Sequence, residues 1–162
     1  MTTLVRPITI ADADGYNRAL DIVAREERFL RMVAAPPVEG SRDFVAGNIA
    51  VGNPHFVALD GAEVVGWCDI YRSSDRGSEH VGSLGMGLIP SHRGRGLGRA
   101  LIEATIGAAR TGFRRVELEV YASNTAAIGL YERVGFTHEG RRIGAIWLDG
   151  RDRDILMMGM VF

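Results

Sequence analysis

The sequence predicts a mixed α/β chain of the α+β kind: a mostly antiparallel sheet of about seven strands, flanked by about four helices, with a central parallel βαβ unit. Three observations carry this. Asp60-Gly61 and Asp149-Gly150 each join two β-rich runs, the pattern of a tight hairpin. Two amphipathic helical segments fall late in the chain, around Leu101–Ala109 and Asn124–Val134. Between His80 and Val120 the order reads strand, loop, helix, strand, which makes those two strands parallel neighbours.

The elements follow in order. Leu4–Ile8 is a short apolar strand. Thr9 or Asp12 is placed to cap the helix behind it, where Tyr16, Ala19, Leu20, Val23 and Ala24 recur at helical spacing. Ala34–Ser41, with Pro36, Pro37 and Gly40, reads as a loop, and Asp43–Ala50 as a second short helix. His55–Leu59 and Glu63–Tyr71 form the first hairpin, and Arg72–Glu79 is a polar loop. His80–Ile89 is a strand that holds Gly82, Gly85 and Gly87, and glycine in a strand marks a bulge or a close approach. Pro90–Gly98 is a loop, Arg99–Arg110 a helix, and Arg114–Val120 an alternating, half-buried strand. Asn124–Val134 is a helix with Asn124 as N-cap and Gly135 just past its end. Gly140–Leu148 and Asp154–Phe162 close the chain as the second hairpin.

Bulk properties narrow the function. The chain has 162 residues, 46% hydrophobic and 24% charged, which suits one folded domain over residues 1–162. A net charge of −1 argues against partnership with nucleic acid or an anionic membrane. There is no apolar run of membrane-spanning length and no leader pattern at the N-terminus, so a cytoplasmic location is expected. Cys68 is the single cysteine and reads as a small buried hydrophobe. His55, His80, His92 and His138 are scattered without ligand spacing, so no metal is expected.

The segment Arg93-Gly94-Arg95-Gly96-Leu97-Gly98-Arg99 carries the strongest functional signal. It lies between a strand and a helix. Glycines let main-chain N–H groups converge on an anion, the helix start adds unpaired donors and partial positive charge, and arginines supply countercharge for linked phosphates. A Walker loop needs Gly-Lys-Ser/Thr at its end, and here Gly98-Arg99-Ala100 follows. A dinucleotide fingerprint needs a third glycine where Arg99 stands.

The remaining pattern, Arg93-x-x-Gly96-x-Gly98, resembles that of the GNAT superfamily of acyl-CoA-dependent N-acetyltransferases. The resemblance extends to Leu88-Ile89-Pro90 before the loop and to Asn124, Ala127, Tyr131 and Gly135-Phe136 after it. It is specific over about residues 80–140 and loose before residue 55. It implies a GNAT-like sheet and acetyl-CoA as co-substrate, with an amine-bearing small molecule, an amino acid or a protein N-terminus as acceptor. It further implies main-chain contacts to the cofactor at Met86, Gly87 and Leu88, a pyrophosphate site at Arg93 to Arg99, a cofactor contact at Asn124 and a general acid at Tyr131. Asn124 as a plain N-cap and Tyr131 as a plain core aromatic stay open. A homodimer is also compatible with the resemblance. Glu79, His80, Glu26, Glu27 and a water chain are candidates for the base. Glu26, Glu27, Phe29, Leu30, Trp147 and the Asp149 turn are acceptor-pocket candidates by position. The alternatives are a non-catalytic acyl-CoA-binding module on the same fold and a nucleotide-dependent enzyme of another class.

Overall fold

The computed structural model describes residues 2–162. In chain order the elements are β1 (Thr3–Pro7), α1 (Ala13–Arg25), α2 (Val38–Val51), β2 (His55–Asp60), β3 (Glu63–Arg72), β4 (Val81–Leu88), α3 (Leu97–Ala109), β5 (Arg115–Tyr121), α4 (Thr125–Val134), β6 (Thr137–Leu148) and β7 (Arg151–Val161). Short 3₁₀ turns at Ile10–Asp12 and Pro90–His92 precede α1 and the glycine-rich loop. The seven strands form one sheet in the order β1-β2-β3-β4-β5-β7-β6, antiparallel throughout except where β4 meets β5. This is the mixed, mostly antiparallel architecture expected from the sequence, with four α-helices.

Helices cover both faces. Tyr16 of α1 meets the Trp67 ring edge-on at 5.7 Å, while Leu101 of α3 lies over the neighbouring Gly66, 3.2 Å from where a β-carbon would stand. Successive strand residues point to opposite faces, so α1 and α3 sandwich the sheet. The core runs through both layers, with Val45, Val57, Val65, Ile70, Leu101, Ile102, Val116 and Met158 fully buried.

The two hairpins are tight. Asp60 pairs with Glu63 and Leu148 with Arg151, leaving two-residue loops. Asp149 and Gly150 both adopt positive φ, the conformation a type I′ turn requires.

Several boundaries differ from expectation. Helix α2 begins at Val38, not Asp43, so part of the presumed Ala34–Ser41 loop is helical: Pro37 stands as N-cap in an extended conformation and launches the helix. Its buried positions are Ser41, Val45 and Asn48, two of them polar, which masks its apolar period. Helix α3 starts at Leu97, two residues before the expected Arg99, because Gly96 turns through a left-handed conformation and serves as its N-cap. Strand β6 starts at Thr137, where a register shift between His138 and Gly140 breaks the alternation, and β7 starts at Arg151. Trp147, expected in the core or a pocket wall, is 70% exposed on β6.

The start of α1 rests on a charge pair. Arg6 donates to both carboxylate oxygens of Asp12 at 2.7 and 3.0 Å, and the Thr9 N–H and hydroxyl add two more bonds at 2.8 and 2.9 Å. The Arg6 guanidinium leads the causes that hold the Asp12 carboxyl down at about 2. A depressed carboxylate stabilises the fold above its unfolded value, and that contribution is lost as the pH falls toward 2. Asp12→Asn is therefore expected to cost about 1–2 kcal/mol at neutral pH. The difference from the parent should vanish near pH 2 in denaturant melts taken across the acid range.

Candidate active site

The parallel contact between β4 and β5 is short. Only Val81, Gly82 and Ser83 find register partners, in Arg115, Val116 and Glu117. Beyond Ser83 the two strands part, although β4 runs on to Leu88 and β5 to Tyr121. The pairing of β4 with β3 fixes which groups face this gap. Ile89 N donates to Val65 O at 3.0 Å and Ser73 N to Val81 O at 2.9 Å, so the odd-numbered residues of β4 bond to β3. The main-chain groups of Met86 and Leu88 consequently point the other way, into the gap. Gly87, third of the predicted contacts on this strand, bonds toward β3 instead.

The β4 glycines have distinct neighbours. A β-carbon at Gly82 would come within 2.4 Å of Ile70 Cγ2, and one at Gly87 within 2.4 Å of the Trp67 ring. Both make room for packing. Gly85 is different: a β-carbon there would meet only the Asp69 carboxylate oxygens, at 3.7 and 3.9 Å.

The glycine-rich loop opens at the end of the gap. Gly94 and Gly96 take φ of 73° and 83°, and a β-carbon at either would meet nothing within 4 Å, so the loop's main chain is open to solvent. The first-turn N–H groups of α3, on Leu97, Gly98 and Arg99, have no carbonyl one turn back in the helix to bond. Gly98 sits against Leu130, Leu88 and Met86, which places the start of α3 beside α4 and β4.

The three arginines of the segment play unequal parts. Arg93 turns inward: its Nε donates to Leu88 O at 2.9 Å, its Nη atoms hold Glu26 at 2.8 and 2.5 Å, and it lies over the Phe29 ring at 4.8 Å. Its charge is thus engaged with the end of α1. Arg99 pairs with Glu103 at 2.7 Å on the helix surface. Arg95 is exposed, and among the described residues no carboxylate pairs with it. His92 is buried, with Nε2 2.8 Å from Asp60 Oδ2, and pins the loop to the β2–β3 hairpin.

Helix α4 brings the last pair. Asn124 Oδ1 accepts from Ala127 N at 3.3 Å, a regular N-cap. Tyr131 is buried, with its ring 5.9 Å from that of Phe136 in an edge-on arrangement, and burial pushes its phenol above the ordinary value. Cys68 is fully buried, and burial raises its thiol pKa too.

A groove of about 680 Å³ lies against the gap, lined by Phe29, Leu30, Tyr71, Ser83, Gly85 and the β5 face, with Glu139 and Arg142 across from them. Phe29 and Leu30 were expected there. Trp147 is not among its walls, and neither are Glu26, Glu27, Glu79 or His80. The groove's three glutamates are occupied. Glu119 holds Arg31 at 2.5 Å and Arg142 at 2.7 Å. Arg115 takes Glu117 at 3.0 Å and also binds Glu139, whose carboxyl it holds below the usual range.

Sequence reasoning passed over Asp69. It lies in the apolar run Val64–Ile70, where an alternating acid reads as facing water. The residue is 4% exposed, and burial raises its carboxyl to about 7. The one available signal was its position directly opposite Gly85 across the β3–β4 ladder.

Among the described residues, no helix is long and apolar enough to cross a membrane, and no three His, Cys, Asp or Glu side chains gather as metal ligands would.

Comparison with known proteins agrees with this arrangement. Residues 18–136 match the model of the acetyltransferase (GNAT) family. The chain is 32% identical over 153 residues to the N-alpha-acetyltransferase RimI of Mycobacterium tuberculosis, covering 94% of this chain and 92% of that protein. It is 43% identical over 86 residues to a mycothiol acetyltransferase of Geodermatophilus obscurus, and there spans only 28% of the relative's length. Its fold superposes with a TM-score of 0.91 on a GNAT phosphinothricin acetyltransferase of Sinorhizobium meliloti in complex with acetyl-CoA, at 22% identity over 100% of this chain and 89% of that one. The chain belongs to the GNAT acetyltransferase family.

Proposed function

We propose that this protein transfers an acetyl group from acetyl-CoA to a primary amine by direct attack in a ternary complex. One observation carries the reading: β4 and β5 part after Ser83, and the gap between them runs up to an open glycine-rich loop at a helix start. A pantetheine arm is an extended chain of amides, matched to a gap edged by unpaired main-chain groups. A pyrophosphate is matched to the amides of Gly94 to Arg99. Acetyl-CoA supplies an activated acyl group when bound.

The chain's own residues divide the work as follows. The main chain of Met86 and Leu88 edges the gap and aligns the arm, with Gly87 between them. The loop and first-turn amides of α3 hold the phosphates, with Arg95 as countercharge and Arg99 at the rim. Arg93 acts as a strut, fixing the loop to Leu88 and α1. Asn124 caps α4 at the far side of the gap and so sets the depth of Tyr131, the acid that protonates the departing sulfur. A preorganised main-chain N–H in the gap polarises the thioester carbonyl. The groove beside the gap, lined by Phe29, Leu30 and Gly85, is the space through which the amine reaches the same point.

The names of relatives, an N-alpha-acetyltransferase and a spermidine acetyltransferase among them, point to α-amino groups and small amines as acceptors, and a cytoplasmic setting suits the single free cysteine. The test is acetyl-CoA turnover with short peptides, amino acids and polyamines, followed by release of free thiol. Release that depends on one amine class supports the reading. CoA binding without transfer to any of them would leave a binding module instead. In the same preparation Arg95→Ala is expected to weaken CoA roughly tenfold to a hundredfold by calorimetry, the loss of one charge-assisted contact.

A further inference from the structure

We propose that Asp69 is the group that takes the proton from the incoming ammonium, reaching the acceptor groove across the bare Cα of Gly85. The proposal rests on the acyl-transfer reading above and adds the residue that makes the amine nucleophilic.

The groove offers no free carboxylate to an incoming ammonium. An ammonium must lose a proton before its nitrogen has a lone pair to attack with. The carboxylates lining the groove are Glu117, Glu119 and Glu139, and each is held by arginine: Glu119 by Arg31 and Arg142, the other two by Arg115. These oxygens are already engaged by guanidinium groups and are not free to meet an incoming ammonium. The acids and the histidine first considered for this role lie elsewhere. Glu26 binds Arg93, Glu79 accepts from Gly77 N at 2.8 Å, and neither Glu27 nor His80 lines the groove.

Asp69 differs in its surroundings. It stands opposite Gly85 in the β3–β4 ladder, and Gly85 is part of the groove wall. The side chain that position 85 lacks would end 3.7 and 3.9 Å from the two carboxylate oxygens. The wall there is one missing methyl thick, so a nitrogen or water seated on Gly85 comes within reach of the carboxylate. The groups facing Asp69 from the packed elements are Tyr16 of α1 and His55 of β2; Gly85 of β4 brings no side chain. Both are uncharged: burial pushes the Tyr16 phenol up and lowers His55 to about 4. His55 Nε2 is buried without a partner. No cation neutralises Asp69, and burial alone raises it to about 7, where it trades protons at neutral pH.

The step balances. The ammonium gives one proton to the Asp69 carboxylate and becomes a neutral amine. Its nitrogen forms the C–N bond as the C–S bond breaks. Tyr131 delivers its proton to the sulfur, and the nitrogen's second proton passes through water to the phenolate so formed, giving amide, free thiol and a restored phenol. Asp69 returns its proton to water. No oxidant or reductant is involved.

The test uses the full chain and the amine that turns over fastest in the thiol-release panel, beside the hydrazide analogue of that acceptor, whose nitrogen is neutral throughout the assay range. Wild-type kcat for the alkylamine should fall as the pH drops below about 7, because Asp69 is then protonated. Asp69→Asn should lower kcat about a hundredfold and abolish that acidic limb. It should lose far less with the hydrazide, and leave CoA affinity unchanged. Its melting temperature should equal or exceed the parent's above pH 7: a carboxyl with a raised folded value destabilises the fold as pH climbs from the unfolded value through about 7, and the amide removes that cost. Gly85→Ala is the second variant. Its β-carbon makes only ordinary contacts and needs no positive φ, so the fold is retained while the passage closes, and kcat should fall as for Asp69→Asn. An Asp69→Asn enzyme that keeps its acidic limb, loses equally with both acceptors, or melts early with weakened CoA binding overturns the proposal. So does a fully active Gly85→Ala. A wild type that acetylates no amine overturns the transfer reading itself, and this inference with it.

Discussion

Tyr131→Phe is expected to lower kcat by about 10²–10⁴ while CoA affinity stays within the error of calorimetry. The phenol is buried, and that burial lifts its pKa above the ordinary tyrosine value. It therefore stays protonated across any usable assay range, and its proton is always present when sulfur begins to carry charge. Being a weak acid, it acts only as the C–S bond breaks, and the attacking nitrogen, strongly acidic at that moment, restores what the phenol gives. The parent's rate should accordingly show no basic limb attributable to Tyr131. The ring keeps its edge-on contact with Phe136 in the variant, so stability should hardly change. Single-turnover thiol release is the measurement, and undiminished release in a chemistry-limited assay removes Tyr131 from the acid's role.

Gly87→Ala is expected to destabilise the fold by about 1–3 kcal/mol, the usual penalty for overpacking. Its β-carbon would stand 2.4 Å from Trp67 Cη2 and under 3.0 Å from two further ring atoms. Trp67 is itself buried and bears edge-on on Tyr16, so the ring has nowhere to retreat without moving α1. In a chain of this size each kcal/mol lowers Tm by about 2–4 °C. Gly107→Ala in α3 is the matched control: nothing lies within 4 Å of its new carbon, and alanine in a helix interior should stabilise by up to about 1 kcal/mol. Thermal melts of the two variants side by side should move in opposite directions.

Much of the architecture was legible because its signals are local. Asn124 capping a helix that ends at Gly135, and Asp149-Gly150 turning a hairpin, each require only residues a few positions apart. The segment Arg93 to Arg99 announced an anion site for the same reason. What escaped notice is non-local. Arg93 was read as countercharge, yet its guanidinium is bound to Glu26, 67 residues away. The parting of β4 from β5 after three residues was expected from the family resemblance alone, since nothing in the alternation of β5 shows it. Asp69 was passed over within its strand, and the packing of α1 against β3 buries it. The start of α2 was missed because buried Ser41 and Asn48 break the apolar period that sequence reading relies on.

The short β4–β5 ladder has one more consequence. A sheet that stops pairing in its interior carries a rim of unmet amides and carbonyls where other sheets have none, so the native chain is left one strand short. A ligand that lies there as the absent strand binds the folded form and has nothing equivalent to grip in the unfolded one. The fold's resistance to heat is thereby indexed to the acyl carrier around it, rising by about 2.7 kcal/mol when that carrier stands a hundredfold above its dissociation constant.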